Sequence, residues 1–138
     1  MMQNKSNIGI IMTVFNGDDY LKNTLDSLVS QSYCKWTLFI LENASTDHTI
    51  SVIDKYSDES RILIKYLPET LPRTEALNYC YKMLPIDIDY VMVLDADDTL
   101  EPKWLECAVD FLDINKDVGV LGGWAYIMDQ NGDKYEEL

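Results

Sequence analysis

Positive charge is scarce in this 138-residue chain: 11 Lys and Arg stand against 24 Asp and Glu, a formal net charge of −13 with the single His neutral. Such a field repels phosphate backbones and anionic membrane surfaces unless a basic patch overrides it. The few bases are scattered, with only Lys65 and Arg73 flanking the apolar "YLPETLP", so nucleic acid is not expected as a partner. Long apolar runs are missing too. No stretch of about 18 apolar residues exists, and the opening "MMQNKSN" is polar where a secretory signal needs an apolar segment, so a cytoplasmic protein is expected. Cysteine is limited to Cys34, Cys80 and Cys107, odd in number, widely spaced and outside any CxxC or Cys/His ligand pattern. Buried free thiols are the expectation for all three.

The common phosphate-binding signatures are absent as well. A dinucleotide site wants GxGxxG after the first strand and a P-loop wants GxxxxGK[ST]; the chain has "FNGDDY" at that place and neither pattern anywhere. A receiver domain would want an acidic pair directly after the first strand and a Lys near the end of the last one. Asp18 and Asp19 come too late, and no Lys falls in the final strand before Lys134.

What is present suffices for one globular domain, with 47% hydrophobic and 25% charged residues. Short apolar runs at 8–14 ("IGIIMTV"), 36–42 ("WTLFILE"), 61–67 ("RILIKYL") and 89–95 ("DYVMVLD") read as buried strands. Between them, helical spacing appears at 19–32, near 47–57, where Ser45, Thr46 and Asp47 suit a cap, and from Pro72 to Leu84. Pro102 opens a further helix carrying Trp104, Leu105, Ala108, Val109 and Leu112, and "VGVLGGWAYIM" reads as a last extended segment. Apolar strands alternating with helices predict an α/β fold, a mostly parallel sheet with helices on both faces. In such sheets ligands sit beyond the carboxyl ends of the strands, where "TVFN", "ENASTD" and "DADD" all fall.

The acidic stretch "VMVLDADDTL" is the most informative of these. Asp95 and Asp97 lie two apart and share one side of a regular strand, a placement suited to a hard cation that prefers carboxylate oxygen. Asp98 and Glu101 read as acidic residues favouring the start of the next helix. "DADDTL" also resembles the DxDx[TV] motif of haloacid-dehalogenase-type phosphatases, which would make Asp95 a nucleophile and Asp97 its acid/base partner. That motif normally sits near the start of its domain, with a Lys and a further acidic pair well downstream, and no such pair follows here.

Four segments in order resemble the nucleotide-sugar-binding portion of family 2 glycosyltransferases, whose fold is the Rossmann-like GT-A. "IIMTVFNGDDYLKNTLDSLVSQSY" is similar to the opening strand, Asn turn and helix of that family. "LFILENASTDHT" resembles its "VDDGSTD" segment, "RTEALN" its basic residue and "ALN" helix, and "VLDADD" its DxD site. The resemblance implies a metal-dependent transferase, with Mn2+ or Mg2+ as the cofactor, that moves a sugar with inversion from a nucleotide diphosphate sugar to a hydroxyl of a saccharide or lipid-linked acceptor. It implies Asp97 as the direct metal ligand, and Asp95 reaching the ribose or a metal-bound water. Thr13 and Phe15 would line the base pocket, although ordinary packing explains Phe15 equally well. Asn43 replaces the usual Asp, which leaves the nucleotide open, and Glu42 keeps an acceptor. Arg73 would approach the base and diphosphate.

His48 reads as a surface or cap residue, and Trp36, Trp104 and Trp124 as core, with Trp124 alone worth checking as a stacking ring. The general base of the family lies beyond its DxD site, in an acceptor-binding half. The expectation is therefore a single donor-binding domain over residues 1–138, truncated before that half, with the base beyond residue 138. A non-catalytic nucleotide-sugar binding module remains the alternative in another class. Surface-polysaccharide assembly and peripheral membrane association of the full-length protein are compatible with the resemblance.

Overall fold

In the computed structural model, residues 5–129 and 133–137 are described; the first four residues of the polar opening stretch lie outside them. Four strands form one sheet: β1 (Ile8–Val14), β2 (Trp36–Glu42), β3 (Ile62–Tyr66) and β4 (Tyr90–Val93). Their order is β3-β2-β1-β4 and every pairing is parallel, with Ile8 beside both Trp36 and Tyr90. Four helices accompany it: α1 (Leu21–Val29), α2 (Thr49–Ile53), α3 (Arg73–Met83) and α4 (Trp104–Ile114). A 3-10 turn at 54–56 extends α2.

The chirality of parallel crossovers explains where the helices lie. Passing from β1 to β2 to β3 moves the chain one way across the sheet, so right-handed connections put α1 and α2 on one face. From β3 the chain reverses past two strands to reach β4, so α3 must cross the opposite face. The core follows suit. Ile10, Met12, Leu38 and Ile40 point to Leu21, Leu25 and Leu28 of α1, Ile53 of α2 and Leu105 and Val109 of α4. Ile11, Phe39 and Leu41, the alternate residues, meet Ala76 and Cys80 of α3. β1 and β2 are buried on both sides, which is why they read as unbroken apolar runs.

Cover on the second face is thinner than the sequence suggests. Among the described residues α3 alone lies there, centred on β1 and β2, and Val91 and Val93 of β4 stay exposed on it. The two sheet edges also differ: β3 carries Lys65, whereas "YVMV" of β4 has no charged residue.

The last extended segment is mostly irregular. Only β5 (Tyr126–Met128) is a strand, and it pairs antiparallel with β6 (Lys134–Glu137) in a separate hairpin instead of joining the sheet. Two adjacent glycines, Gly122 and Gly123, weaken any longer strand. The cysteines are free, but burial holds for Cys80 alone; Cys34 is exposed in the irregular connection between α1 and β2, and Cys107 on the solvent side of α4. No helix among the described residues is long and apolar enough to cross a membrane.

Candidate functional site

The strand order reverses at β1, and a cleft of about 480 Å3 opens beyond the carboxyl ends of β1 and β4 at that point. Thr13, Phe15, Asn16, Gly17 and Tyr20 line it from the β1 side, Asn43 from the loop after β2, Arg73 from α3, and Asp95, Ala96 and Asp97 from the turn after β4, which ends at Val93, so the two carboxylates do not sit on a regular strand as their spacing suggested. Six of the seven residues singled out from the sequence thus border one cavity. Glu42 does not.

The two loops on the β1 and β2 side are tied together by side chains. Asn16 has φ of 52°, a left-handed conformation that Asn tolerates better than most residues. Its Oδ1 accepts the Thr46 N–H at 2.8 Å, while Ser45 Oγ accepts the Asn16 N–H at 2.9 Å. Thr49 Oγ1 takes the Gly17 N–H at 2.8 Å. Ala44 is also left-handed, at φ of 61°, and the turn it makes lets the buried Glu42 accept the Ser45 N–H at 2.7 Å. Glu42 is therefore a brace beneath the loop. The N-cap of α2 is the exposed His48, which makes no side-chain capping bond, and Asp47, one residue before it, accepts the Thr49 N–H through Oδ1 at 3.0 Å.

Asn43 is used on both sides of its amide. Its Nδ2 donates to the Leu71 carbonyl at 2.9 Å and its Oδ1 accepts the Leu71 N–H at 2.8 Å. One N–H and one lone pair remain for other partners. This double bond holds the segment that enters α3, and so fixes where Arg73 begins. Arg73 is exposed and pairs with Asp95 across the cleft mouth.

The acidic loop is carried by α1. Thr24 Oγ1 donates to the Ala96 carbonyl at 2.9 Å, Ser27 Oγ accepts the Leu100 N–H at 3.1 Å, and Gln31 spans the Glu101 carbonyl at 2.7 Å and the Leu105 N–H at 3.1 Å. Thr24 and Gln31 are buried. Sequence reasoning passed over these three. The signal was there in polar residues at helical spacing on the Leu21, Leu25 and Leu28 side.

Asp97 is exposed and makes no hydrogen bond or ion pair among the described residues. Burial first, then the neighbouring Asp97 and Asp95 charges, raise the carboxyl pKa of Asp98. No cluster of three or more His, Cys, Asp or Glu suited to a metal occurs among the described residues. The donor set nonetheless suits a hard dication that keeps water and takes oxygens from a ligand, since Mg2+ sites commonly use one or two carboxylates plus phosphate. Against one guanidinium, Asp95 and Asp97 leave the mouth negative, so a diphosphate needs added positive charge here.

Of the tryptophans, Trp36 is buried under the Arg61 guanidinium, 3.9 Å from the ring centroid, and Trp104 packs half-buried on the core. Trp124 departs from the expectation of a core residue. It is 79% exposed, because the irregular segment carrying it runs over the surface.

The sequence model for glycosyl transferase family 2 matches residues 9–137. The chain belongs to this family. Among curated relatives, EpsE of Bacillus subtilis (strain 168), a glycosyltransferase by name, is 31% identical over 133 residues, which are 95% of this chain and 47% of EpsE. TuaG of the same organism, named for teichuronic acid biosynthesis, is 29% identical over 106 residues, 76% of this chain and 41% of TuaG. The chain thus spans less than half the length of these relatives. Among solved structures, Staphylococcus aureus TarS residues 1–349 in complex with UDP-GlcNAc superimposes with a TM-score of 0.73 at 22% identity, covering 80% of this chain and 32% of that one. The mannosyltransferase PcManGT of Pyrobaculum calidifontis, in complex with GDP-Man and Mn2+, gives 0.66 at 21% identity, covering 79% and 32%. The family fold is the GT-A arrangement, an α/β sheet with helices on its faces.

Proposed function

We propose that this family 2 chain is the donor-binding portion of a metal-dependent glycosyltransferase, which moves a sugar from a nucleoside diphosphate to a saccharide or lipid-linked acceptor hydroxyl with inversion. The observation that carries this reading is the convergence of Arg73, Asp95 and Asp97 on the mouth of the cleft at the sheet's reversal point. In this reading the half-exposed ring of Phe15 and the Thr13 hydroxyl border the base, and Asn43 offers its remaining N–H and lone pair. The guanidinium of Arg73 presents a fork of donors to phosphate oxygens, exchanging Asp95 for them. Asp97, assisted by Asp95, would hold Mn2+ or Mg2+. Such a cation neutralises charge developing on a diphosphate leaving group. Complexes of the structural neighbours with UDP-GlcNAc, UDP, and GDP-Man with Mn2+ support a nucleotide-sugar donor. The general base that takes the acceptor's proton belongs, in this proposal, to the further length that the relatives possess.

Calorimetry with UDP, GDP and dTDP, each with and without Mn2+, tests the assignment on wild type and Asp97→Ala. Wild type should bind at least one nucleotide in a Mn2+-dependent way, and Asp97→Ala should lose that binding at least about tenfold, the worth of one charge-assisted contact. Equal affinity of the two proteins in Mn2+ overturns it.

A further inference from the structure

The hydroxyl of Thr24 in α1 donates to the Ala96 carbonyl at 2.9 Å, and Ala96 is the residue between Asp95 and Asp97. The direction of a carbonyl fixes the plane of its peptide unit. This bond therefore sets the unit joining Ala96 to Asp97, and with it the direction in which Asp97 leaves the backbone. Just upstream, the Leu94 N–H still donates to the Ile11 carbonyl of β1 at 3.1 Å. Downstream, the Asp98 N–H turns back onto the Asp95 carbonyl at 3.2 Å, and Ser27 and Gln31 hold the far end of the loop.

Thr24 is fully buried, on the same side of α1 as Leu21, Leu25 and Leu28. A valine would occupy that space without a hydroxyl, so packing does not account for the oxygen. Inside a helix a threonine hydroxyl often bonds a carbonyl one turn back, whereas here it reaches a loop 72 positions away. The carboxylates take no part in this hold: Asp95 pairs with Arg73, and Asp97 makes no hydrogen bond or ion pair among the described residues. Asp95, Asp97 and Asp98 repel one another, so the loop needs an uncharged hold that keeps it together before any cation arrives. The same helix also begins at the opposite wall. The Leu21 N–H donates to the Gly17 carbonyl at 2.9 Å, and Gly17 and Tyr20 line the cleft. One rigid element thus sets the spacing between the β1 side of the cleft and the two aspartates.

We propose that Thr24 is a positioning residue for the divalent cation: by pinning the Ala96 carbonyl it keeps Asp95 and Asp97 in their cation-binding arrangement, and so sets cation affinity without touching cation or nucleotide. The proposal rests on the donor-binding reading above. Without the bond a smaller fraction of the loop is competent, and apparent affinity falls by that fraction. One neutral hydrogen bond bounds the loss at about fivefold.

Calorimetry of UDP and GDP, each with and without Mn2+, compares wild type with Thr24→Val, Thr24→Ser and Ser27→Ala. Gly9→Ala serves as a variant destabilised on the α3 face of the sheet, away from α1. Amide exchange followed by NMR on the metal-free proteins reads the Asp98 and Leu100 N–H groups. Thr24→Val should lose about three- to fivefold of the affinity measured in Mn2+, keep the affinity measured without it, and exchange the Asp98 amide faster. Thr24→Ser keeps the hydroxyl and should restore both, and Gly9→Ala should retain the full Mn2+ dependence. Ser27→Ala frees the Leu100 N–H and should weaken binding in Mn2+ by about twofold, which decides the matter should Thr24→Val not fold. A Thr24→Val protein with wild-type Mn2+ dependence, a loss equal with and without Mn2+, or the same loss in Gly9→Ala overturns the positioning role and leaves the donor cleft standing. Wild type that binds nucleotide no better in Mn2+ overturns the cation reading and the positioning role together.

Discussion

Replacing Asn43 tests whether the β2 loop and the entry to α3 are held by one side chain. The amide is 9% exposed and makes two bonds of ordinary length to the same backbone unit, Leu71. A neutral hydrogen bond of this kind contributes on the order of 1 kcal/mol, and Leu71 is half-buried, so water can reach part of what is freed. Asn43→Ala should therefore destabilise by about 2 kcal/mol. For a domain of this length that lowers Tm by about 8 °C and the urea midpoint by about 1 M, with the slope unchanged. Asn43→Asp separates the donor half from the acceptor half. The introduced carboxylate still accepts the Leu71 N–H, but its other oxygen faces the Leu71 carbonyl with no proton between them. That raises its folded-state pKa above the unfolded value, so the penalty is full at pH 7 and shrinks as pH falls through the folded pKa, where the acid proton restores a donor. Urea melts at pH 7 and pH 4 measure this. An Asn43→Ala midpoint equal to wild type, or an Asn43→Asp deficit that ignores pH, refutes the double bond.

Two further outcomes follow from the packing. Arg61 grips Glu59 through Nε and Nη2 at 2.8 and 2.7 Å, and this holds the Glu59 pKa at about 2, below its usual 4.5. The stabilisation is present above pH 4.5 and lost as pH falls toward 2, so Glu59→Gln should cost about 1 kcal/mol at pH 7 and flatten the acid limb of a stability curve across that window. At Gly9, on the α3 face of β1, a Cβ would stand 2.7 Å from Cδ1 of Leu84 and 3.0 Å from Cγ2 of Ile88. Both are side-chain ends that can shift, so Gly9→Ala should fold with a lower urea midpoint, by about 1–2 kcal/mol of overpacking.

The sequence made β1 and β2 legible to the residue, because burial on both faces keeps the runs apolar apart from Thr13, Thr37 and the terminal Glu42. Helix ends were less so. The pattern at 47–57 holds only five α-helical residues before it tightens into a 3-10 turn, a difference that apolar spacing does not encode. The strand-end rule pointed to the stretches that hold Thr13, Phe15, Asn43, Asp95 and Asp97, whereas Arg73, at the start of α3, was marked by the resemblance alone; all six line one cavity. Glu42 looked the same in sequence as its neighbour, yet its direction depends on the left-handed turn at Ala44, where alanine gives no hint of the conformation. The Leu71 partner of Asn43 was equally hidden, being 28 positions away in a loop without periodicity. Trp124 was misjudged because an aromatic residue in an apolar segment suggests a core, while two glycines ahead of it let the chain run outside.

The bare, uncharged margin of β4 bears on how any of these measurements should be run. Among the described residues no strand pairs with its outer side, and that edge, with the exposed Val91 and Val93 alongside, is an adhesive template for another extended chain. Concentrated stocks of this polypeptide should drift toward dimers and larger aggregates. Titrations are best performed dilute, with sedimentation run in parallel, so that self-adhesion is not mistaken for a ligand's heat.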